Sequence, residues 1–269
     1  MRTECPNEVM IEFKNVTKVL GDRKVIDDVS FNIKCGEIFI IMGCSGSGKS
    51  TILRLMTGML KPDKGSIYIK GKDITKISNS ELDEIRKNFG MLFQYSALLD
   101  SMTVEENVAL PLQEHTNLAE NIIKIIIRMK LALVGLRGFE NYYPSQISGG
   151  MRKRVGLARA IALDPDIVFY DEPTSGLDPV VAGIIDKLIM DLSKKLLITS
   201  VVVTHDMQSV FRIADRALML HKGKVVEVGT PEQIKASSNP IIQQFINGLA
   251  DGPIDFYSED SNLLDGLVS

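Results

Sequence analysis

Gly43-Cys44-Ser45-Gly46-Ser47-Gly48-Lys49-Ser50 has the make-up of a loop built to hold phosphate. Its glycines let the backbone turn several N–H groups inward onto one anion. Lys49 adds a charge that can reach the β- and γ-phosphates of a nucleoside triphosphate, and the Ser50 hydroxyl is a hard oxygen ligand for Mg²⁺. Thr51 follows in the same turn. Two further polar clusters complete a phosphoryl-transfer set. The neighbours Asp171 and Glu172 face different directions at a strand end, so one can support Mg²⁺ while the other addresses an attacking water. Thr204-His205 closes another apolar run.

These groups need elements that carry them to one place. Glu37–Met42 is an apolar strand pattern ahead of the glycine loop, and Ser50–Met56 is helix-forming behind it, aiming a positive dipole end at the same anion. Val29, Phe31 and Ile33 alternate with polar residues, as do Ile67 and Ile69, which predicts half-buried antiparallel strands. Ile167–Tyr170 and Val201–Val203 are continuously apolar, the pattern of parallel strands covered on both faces. Ligands gather at the carboxyl ends of such strands, so the three clusters aim at one sheet edge. Between Gln94 and Leu163 the pattern is mostly helical. Met151, Val155, Ala158 and Ala162 form an apolar stripe, with Arg152, Lys153, Arg154 and Arg159 elsewhere on that helix. Leu218–Leu220 and Val225–Val228 flank Lys222-Gly223 as a hairpin, and Thr230-Pro231-Glu232-Gln233 is a capping box.

Composition narrows the class. The chain of 269 residues holds 31 Lys plus Arg against 34 Asp plus Glu, a net charge of −3, so no nucleic-acid partner is expected. Cys5, Cys35 and Cys44 do not form a disulfide framework, and a reducing compartment is expected. The most apolar stretch, Ile122–Leu136, is broken by Lys124, Arg128 and Lys130, so membrane association has to go through a partner.

Ile147-Ser148-Gly149-Gly150-Met151, taken with the glycine loop, Gln94, Asp171-Glu172, Ser175-Gly176-Leu177-Asp178 and His205 in this order, resembles the ATP-binding cassette (ABC) ATPases over about Val9 to Gly229. The resemblance implies an α/β fold: a P-loop NTPase (RecA-like) core with an N-terminal antiparallel β subdomain and an inserted helical subdomain at about 95–163. The ATPase domain would span 9–235 and a C-terminal extension 236–269. It also implies that two copies face head to tail around two ATP molecules. ATP would contact Gly43 to Thr51 of one copy and Ser148, Gly149 and Gly150 of the other, and Asp178 would cross the interface. Glu172 would polarise the hydrolytic water, and His205 would hold water and γ-phosphate in line. Mg²⁺ would take Ser50, Asp171 and Gln94, with Gln94 relaying nucleotide state to a transmembrane permease.

The stretch after Gln94 is too apolar for a fully solvated loop at Tyr95, Ala97, Leu98, Leu99, Met102 and Val104, which makes it the expected permease contact. Met151 stands where the family usually has Gln, and activity is expected to survive. Leu20 stands where an aromatic usually stacks on adenine, so looser nucleotide selectivity is expected.

Asn107–Thr116, the Met151 variant and Phe245–Pro253 are similar to the ATPases of phospholipid transporters that maintain outer-membrane lipid asymmetry. That similarity implies a place on the cytoplasmic face of the inner membrane. It also implies a periplasmic lipid-binding MCE protein and a small accessory subunit as further partners. The alternatives are a soluble ABC ATPase acting in complex assembly and a transport ATPase for another substrate such as an amino acid. The tail after Asp251 is acidic and without Lys or Arg. Disorder is expected for it, or docking of Ile254, Phe256, Tyr257, Leu263 and Leu264 on a second copy or an accessory subunit.

Overall fold

A computed structural model describes residues 8–255; Cys5, Phe256, Tyr257, Leu263 and Leu264 lie outside the described residues. β1 (Val9–Leu20) and β2 (Arg23–Lys34) pair as a long antiparallel hairpin. β3 (Ile38–Met42) and α1 (Lys49–Met56) bracket the glycine loop. β4 (Lys64–Ile69) and β5 (Lys72–Asp73) complete a four-stranded antiparallel sheet in the order β2-β1-β4-β5. α2 (Asn79–Arg86) leads into β6 (Phe89–Leu92), after which α3 (Val104–His115), α4 (Glu120–Leu133) and α5 (Gly149–Ala160) pack on one another. Then come β7 (Ile167–Asp171), α6 (Pro179–Leu196), β8 (Thr199–Thr204), α7 (Met207–Ile213) and β9 (Arg216–His221). β10 (Lys224–Gly229) turns back against β9, and α8 (Pro231–Ala236) and α9 (Pro240–Asn247) follow.

The second sheet runs β10-β9-β3-β8-β7-β6 and is parallel except for β10. Its central strands are mostly apolar because each serves two cores; the buried Ser200 of β8 is matched by Ser193 Oγ at 2.5 Å. Ile38, Ile40 and Met42 of β3 enter the core shared with α3 to α7, while Phe39 and Ile41 enter the core shared with α1 and the antiparallel sheet. β7 and β8 divide in the same way, with Tyr170 and Val202 on one side and Phe169 and Val203 on the other. Successive strand residues point to opposite faces, so a sheet covered on both sides favours apolar residues at both, and its ionisable side chains gather at the edge.

Register then aligns the chemistry. Met42 pairs with Thr204, Asp171 with Val203, and Leu92 with Tyr170. Gly43, Gln94, Glu172 and His205 each sit one or two residues past that line. A one-residue slip would turn every side chain to the other face.

Several expectations need correction. Cys35 is disulfide-bonded and Cys44 is free. Val104 is not on the surface after Gln94 but fully buried as the first residue of α3. The buried Asn107 ties the preceding loop to that helix, donating to the carbonyls of Leu99 and Met102 at 3.1 Å and accepting from Leu99 N at 2.8 Å. Ile254 is not part of a disordered tail: it packs into this chain's own core. Gln244 holds it by accepting from Ile254 N at 2.6 Å and donating to Ile254 O at 3.1 Å.

Candidate functional site: a nucleotide cradle at the sheet edge

The glycine loop occupies the gap between β3 and α1 because little else fits. Gly43 has φ 151°, and a Cβ there would lie 2.2 Å from the Leu220 carbonyl oxygen of β9. That contact is too short for any side chain, so the loop can press against β9 only with glycine. The β9–β10 turn braces the loop, Gly223 N donating to Ser47 O at 3.0 Å. Gly48 is the N-cap of α1 and offers no side-chain cap, which leaves that helix end to an anion.

Lys49 is buried, its Nζ donating to Gly43 O at 2.7 Å and Cys44 O at 3.0 Å. Those bonds hold the ammonium over the loop's centre. Burial pulls its pKa below the ordinary lysine value, opposed by the Glu172 carboxylate. Ser47 Oγ is buried without a hydrogen-bond partner. Ser45, Gly46 and Ser50 are exposed and Thr51 is half-buried, so the loop presents its outer rim to solvent. A cavity of about 200 Å³ opens beside it, lined by Arg23, Cys44, Ser45, His221, Lys222 and Asp255.

Asp171 and Glu172 stand across the edge. Burial, and next the neighbouring Glu172 charge, push the Asp171 carboxyl above the usual aspartate range. Glu172 takes a left-handed backbone, φ 47°, while its N–H still continues the ladder to Val203 O at 2.9 Å. Its carboxylate is gripped at both oxygens. Oε1 lies 2.9 Å from His205 Nδ1, and Oε2 accepts from Thr204 Oγ1 at 3.3 Å. Glu172 is 12 % exposed and His205 is 63 % exposed, so the histidine forms the solvent side of the pair. Gln94 reaches the same edge from β6, its Nε2 donating to Ser175 Oγ at 3.4 Å.

The remaining expected residues fall elsewhere. Ser148 caps α5, its Oγ accepting from Met151 N at 3.2 Å, and Gly149 and Gly150 open that helix. Asp178 caps α6, one carboxylate oxygen accepting from Val180 N and Val181 N at 3.0 Å each. Within one chain the structure therefore brings together the glycine loop, Gln94, Asp171, Glu172 and His205. It places Ser148–Gly150 and Asp178 at two further helix ends.

Two participants escaped sequence reasoning. Thr204 was read only as a strand end, and Lys153 as one of several basic residues off the apolar stripe. Lys153 is 5 % exposed and its Nζ donates to the carbonyls of Gln94 and Glu172. The available signal was its position on the stripe's flank, three residues before Gly156.

Among the described residues no group of three or more His, Cys, Asp or Glu is placed to hold a metal alone. Ser50, Asp171 and Gln94 are oxygen donors, which suits Mg²⁺, an ion that keeps water and takes its other ligands from substrate phosphates.

A lysine-closed glycine loop between a parallel strand and a helix, facing two adjacent acids at the end of another strand of the same sheet, defines a P-loop nucleoside triphosphatase. The comparisons carry the assignment further. Residues 26–175 match the family model described as ABC transporter, and the chain belongs to that family; it is an ABC ATPase. It is 48 % identical over 250 residues to the intermembrane phospholipid transport system ATP-binding protein MlaF of Haemophilus influenzae, covering 93 % of this chain and 95 % of that protein. It is 45 % identical over 254 residues to the probable ribonucleotide transport ATP-binding protein mkl of Mycobacterium leprae, covering 94 % of this chain and 73 % of the relative. Among solved structures, a dimeric post-hydrolysis ATP-binding cassette bound to ADP and Pi superposes with TM-score 0.75 at 35 % identity, over 82 % of this chain and 99 % of the other.

Proposed function

We propose that the chain is the ATP-hydrolysing subunit of a transporter that moves phospholipid between the inner and outer membranes. The observation that carries the catalytic part is the Glu172 carboxylate, fixed at both oxygens by His205 and Thr204 on the edge that Lys49 faces. A carboxylate held in one orientation can take the proton of a water attacking the γ-phosphorus. As the new P–O bond forms, the bond to the β–γ bridging oxygen breaks, giving ADP and phosphate. Lys49 and the loop N–H groups neutralise the charge that develops on the phosphate oxygens. Mg²⁺, held by Ser50, Asp171 and Gln94, would supply Lewis-acid charge to the same oxygens.

Ser148–Gly150 stand at a different helix end from the glycine loop, and the similar cassette bound to ADP and Pi is dimeric. Two copies facing head to tail would complete each site, Ser148, Gly149 and Gly150 of one closing on the nucleotide of the other and Asp178 lying between them. ATP then closes the dimer and hydrolysis releases it.

No helix of the described residues is long and apolar enough to cross a membrane, so work on lipid requires permease subunits. A groove of about 340 Å³ beside the exposed Tyr95 and Leu99, lined by Phe93, Ala97, Pro111, His115 and Arg159, suits an amphipathic helix from such a partner. The subunit would then sit peripherally on the cytoplasmic face, with an MCE protein and an accessory subunit completing the complex. The phospholipid assignment follows the Haemophilus relative's described role. A ribonucleotide cargo is the second reading, favoured by the 45 % identity to the mycobacterial relative.

Glu172→Gln in the assembled complex tests the catalytic assignment. Turnover should fall roughly 10²- to 10⁴-fold while ATP still binds; near-normal turnover removes Glu172 from the role. Lipid exchange between labelled vesicles and the reconstituted complex, against ribonucleotide uptake, separates the two cargoes.

A further inference from the structure

α5 begins at the Ser148–Gly150 turn, and one of its faces grips the loop that carries Gln94. Lys153, Gly156 and Arg159 recur every three residues and so share that face. At its near end, Lys153 Nζ donates to Gln94 O and, at 3.2 Å, to Glu172 O. In the middle, Gly156 lets the helix approach; a Cβ there would lie 2.8 Å from Leu92 Cδ1 and 3.3 Å from Ser96 Cβ. At its far end, Arg159 donates to Ser96 O at 2.6 Å and Ala97 O at 2.7 Å.

The gripped segment is unusual in itself. Ser96 and Ala97 both adopt left-handed backbones, φ 62° and 46°, as does Glu172 at 47°. Such non-glycine conformations persist only where the surroundings over-determine them. Lys153 is the one side chain of α5 whose bonds reach both the Gln94 loop and the residue bearing the fixed carboxylate. A buried ammonium held by these two carbonyls is costly unless both stay in place. Burial lowers its pKa, opposed by the Glu172 and Asp171 charges.

We propose that Lys153 is a positioning residue that makes the start of α5, the Gln94 loop and the Glu172 backbone one mechanical unit. The proposal rests on Glu172 acting as the base. A shift of α5, or of the loop as a partner docks on it, is then transmitted through one ammonium to the backbone that sets the carboxylate's aim. Phosphoryl transfer is sensitive to such aim, because misplacing a reacting group by about 1 Å can cost roughly 100-fold.

The test uses the assembled complex with K153M, which keeps the stem and loses the ammonium, and K153R, which restores donors. K153M should lower kcat roughly 10- to 100-fold while KM and equilibrium affinity for ATP stay within about 3-fold, and K153R should recover most of the rate. Adding K153M to Gln94→Ala should cost less than the two single effects combined, as for residues acting through one element. A kcat within twofold of wild type in K153M overturns the proposal. So does a parallel loss of kcat, ATP affinity and thermal stability in both variants, the signature of a merely structural lysine. If K153M does not assemble, K153Q is read by the same criteria. E172Q run alongside separates the two claims: an active E172Q removes the base assignment, whereas an inactive E172Q beside an active K153M removes Lys153 alone.

Discussion

Thr204 offers a direct measure of how much the grip on Glu172 is worth. Its buried hydroxyl does two things: it donates to Glu172 Oε2 at 3.3 Å and accepts from Asp206 N at 3.0 Å. Thr204→Val keeps the shape and removes both bonds. A hydrogen bond to a charged group contributes about 1.5–3 kcal/mol, and the 3.3 Å length places this one at the weak end. About 1.4 kcal/mol is one decade of rate, so kcat should fall roughly tenfold if the bond persists in the transition state. The orphaned Asp206 N–H adds a separate cost of about 1–2 kcal/mol to folding, a fall in Tm of roughly 2–8 °C for a domain of this size. The assay is ATP turnover by the assembled complex at saturating ATP, with thermal unfolding of the same samples. Thr204→Ser keeps the hydroxyl and should retain most of the rate. A Thr204→Val kcat within twofold of wild type would refute the view that Glu172 is held by this contact.

Three further outcomes follow from the same geometry. Lys49→Ala removes the ammonium held over the loop and should weaken ATP binding roughly 10- to 100-fold in an equilibrium titration; unchanged affinity contradicts the cradle. Asp171 has a folded pKa raised above its unfolded value, so the native state binds its proton more tightly. Its contribution favours folding at low pH and is lost as pH rises through the folded pKa. Near neutral pH, Asp171→Asn should therefore raise the nucleotide-free Tm while abolishing Mg²⁺-dependent turnover, and a lower Tm would reverse the sign of this reasoning. Leu99, 46 % exposed, and Tyr95, 85 % exposed, should tolerate Asp with little change in unfolding temperature yet lose stable association with the membrane partner. Leu98 packs against the core and gives no such clean test. Intact co-purification of the Leu99→Asp, Tyr95→Asp double variant would move the docking site elsewhere.

Much of the site was legible because its signals are local. A glycine loop works through its own backbone, so Gly43 to Ser50 announce themselves by spacing, and the continuous apolar runs of β3, β7 and β8 announce a covered parallel sheet whose polar residues gather at one end. Other readings failed where the deciding contact lies far away in the chain. Thr103 and Glu106 form a capping box that marks the start of α3, but nothing local says that Val104 lies on its buried face, and nothing near Ile254 says that a glutamine ten residues earlier will hold its backbone. Cys35 likewise shows no local sign of its disulfide.

The sequence by itself determined which atoms could meet a triphosphate and which strands would carry them, since residue type and period are properties of short segments. Tertiary structure decided the aim of those atoms. Lys153 looks like any basic residue of a helix, yet it is buried because Gly156 lets α5 close on β6 and the Gln94 loop. His205 and Thr204 grip Glu172 only because β7 and β8 pair in one register. Long-range pairing has no signature in the segments being paired, because its free energy resides in contacts that exist only once the sheet has formed.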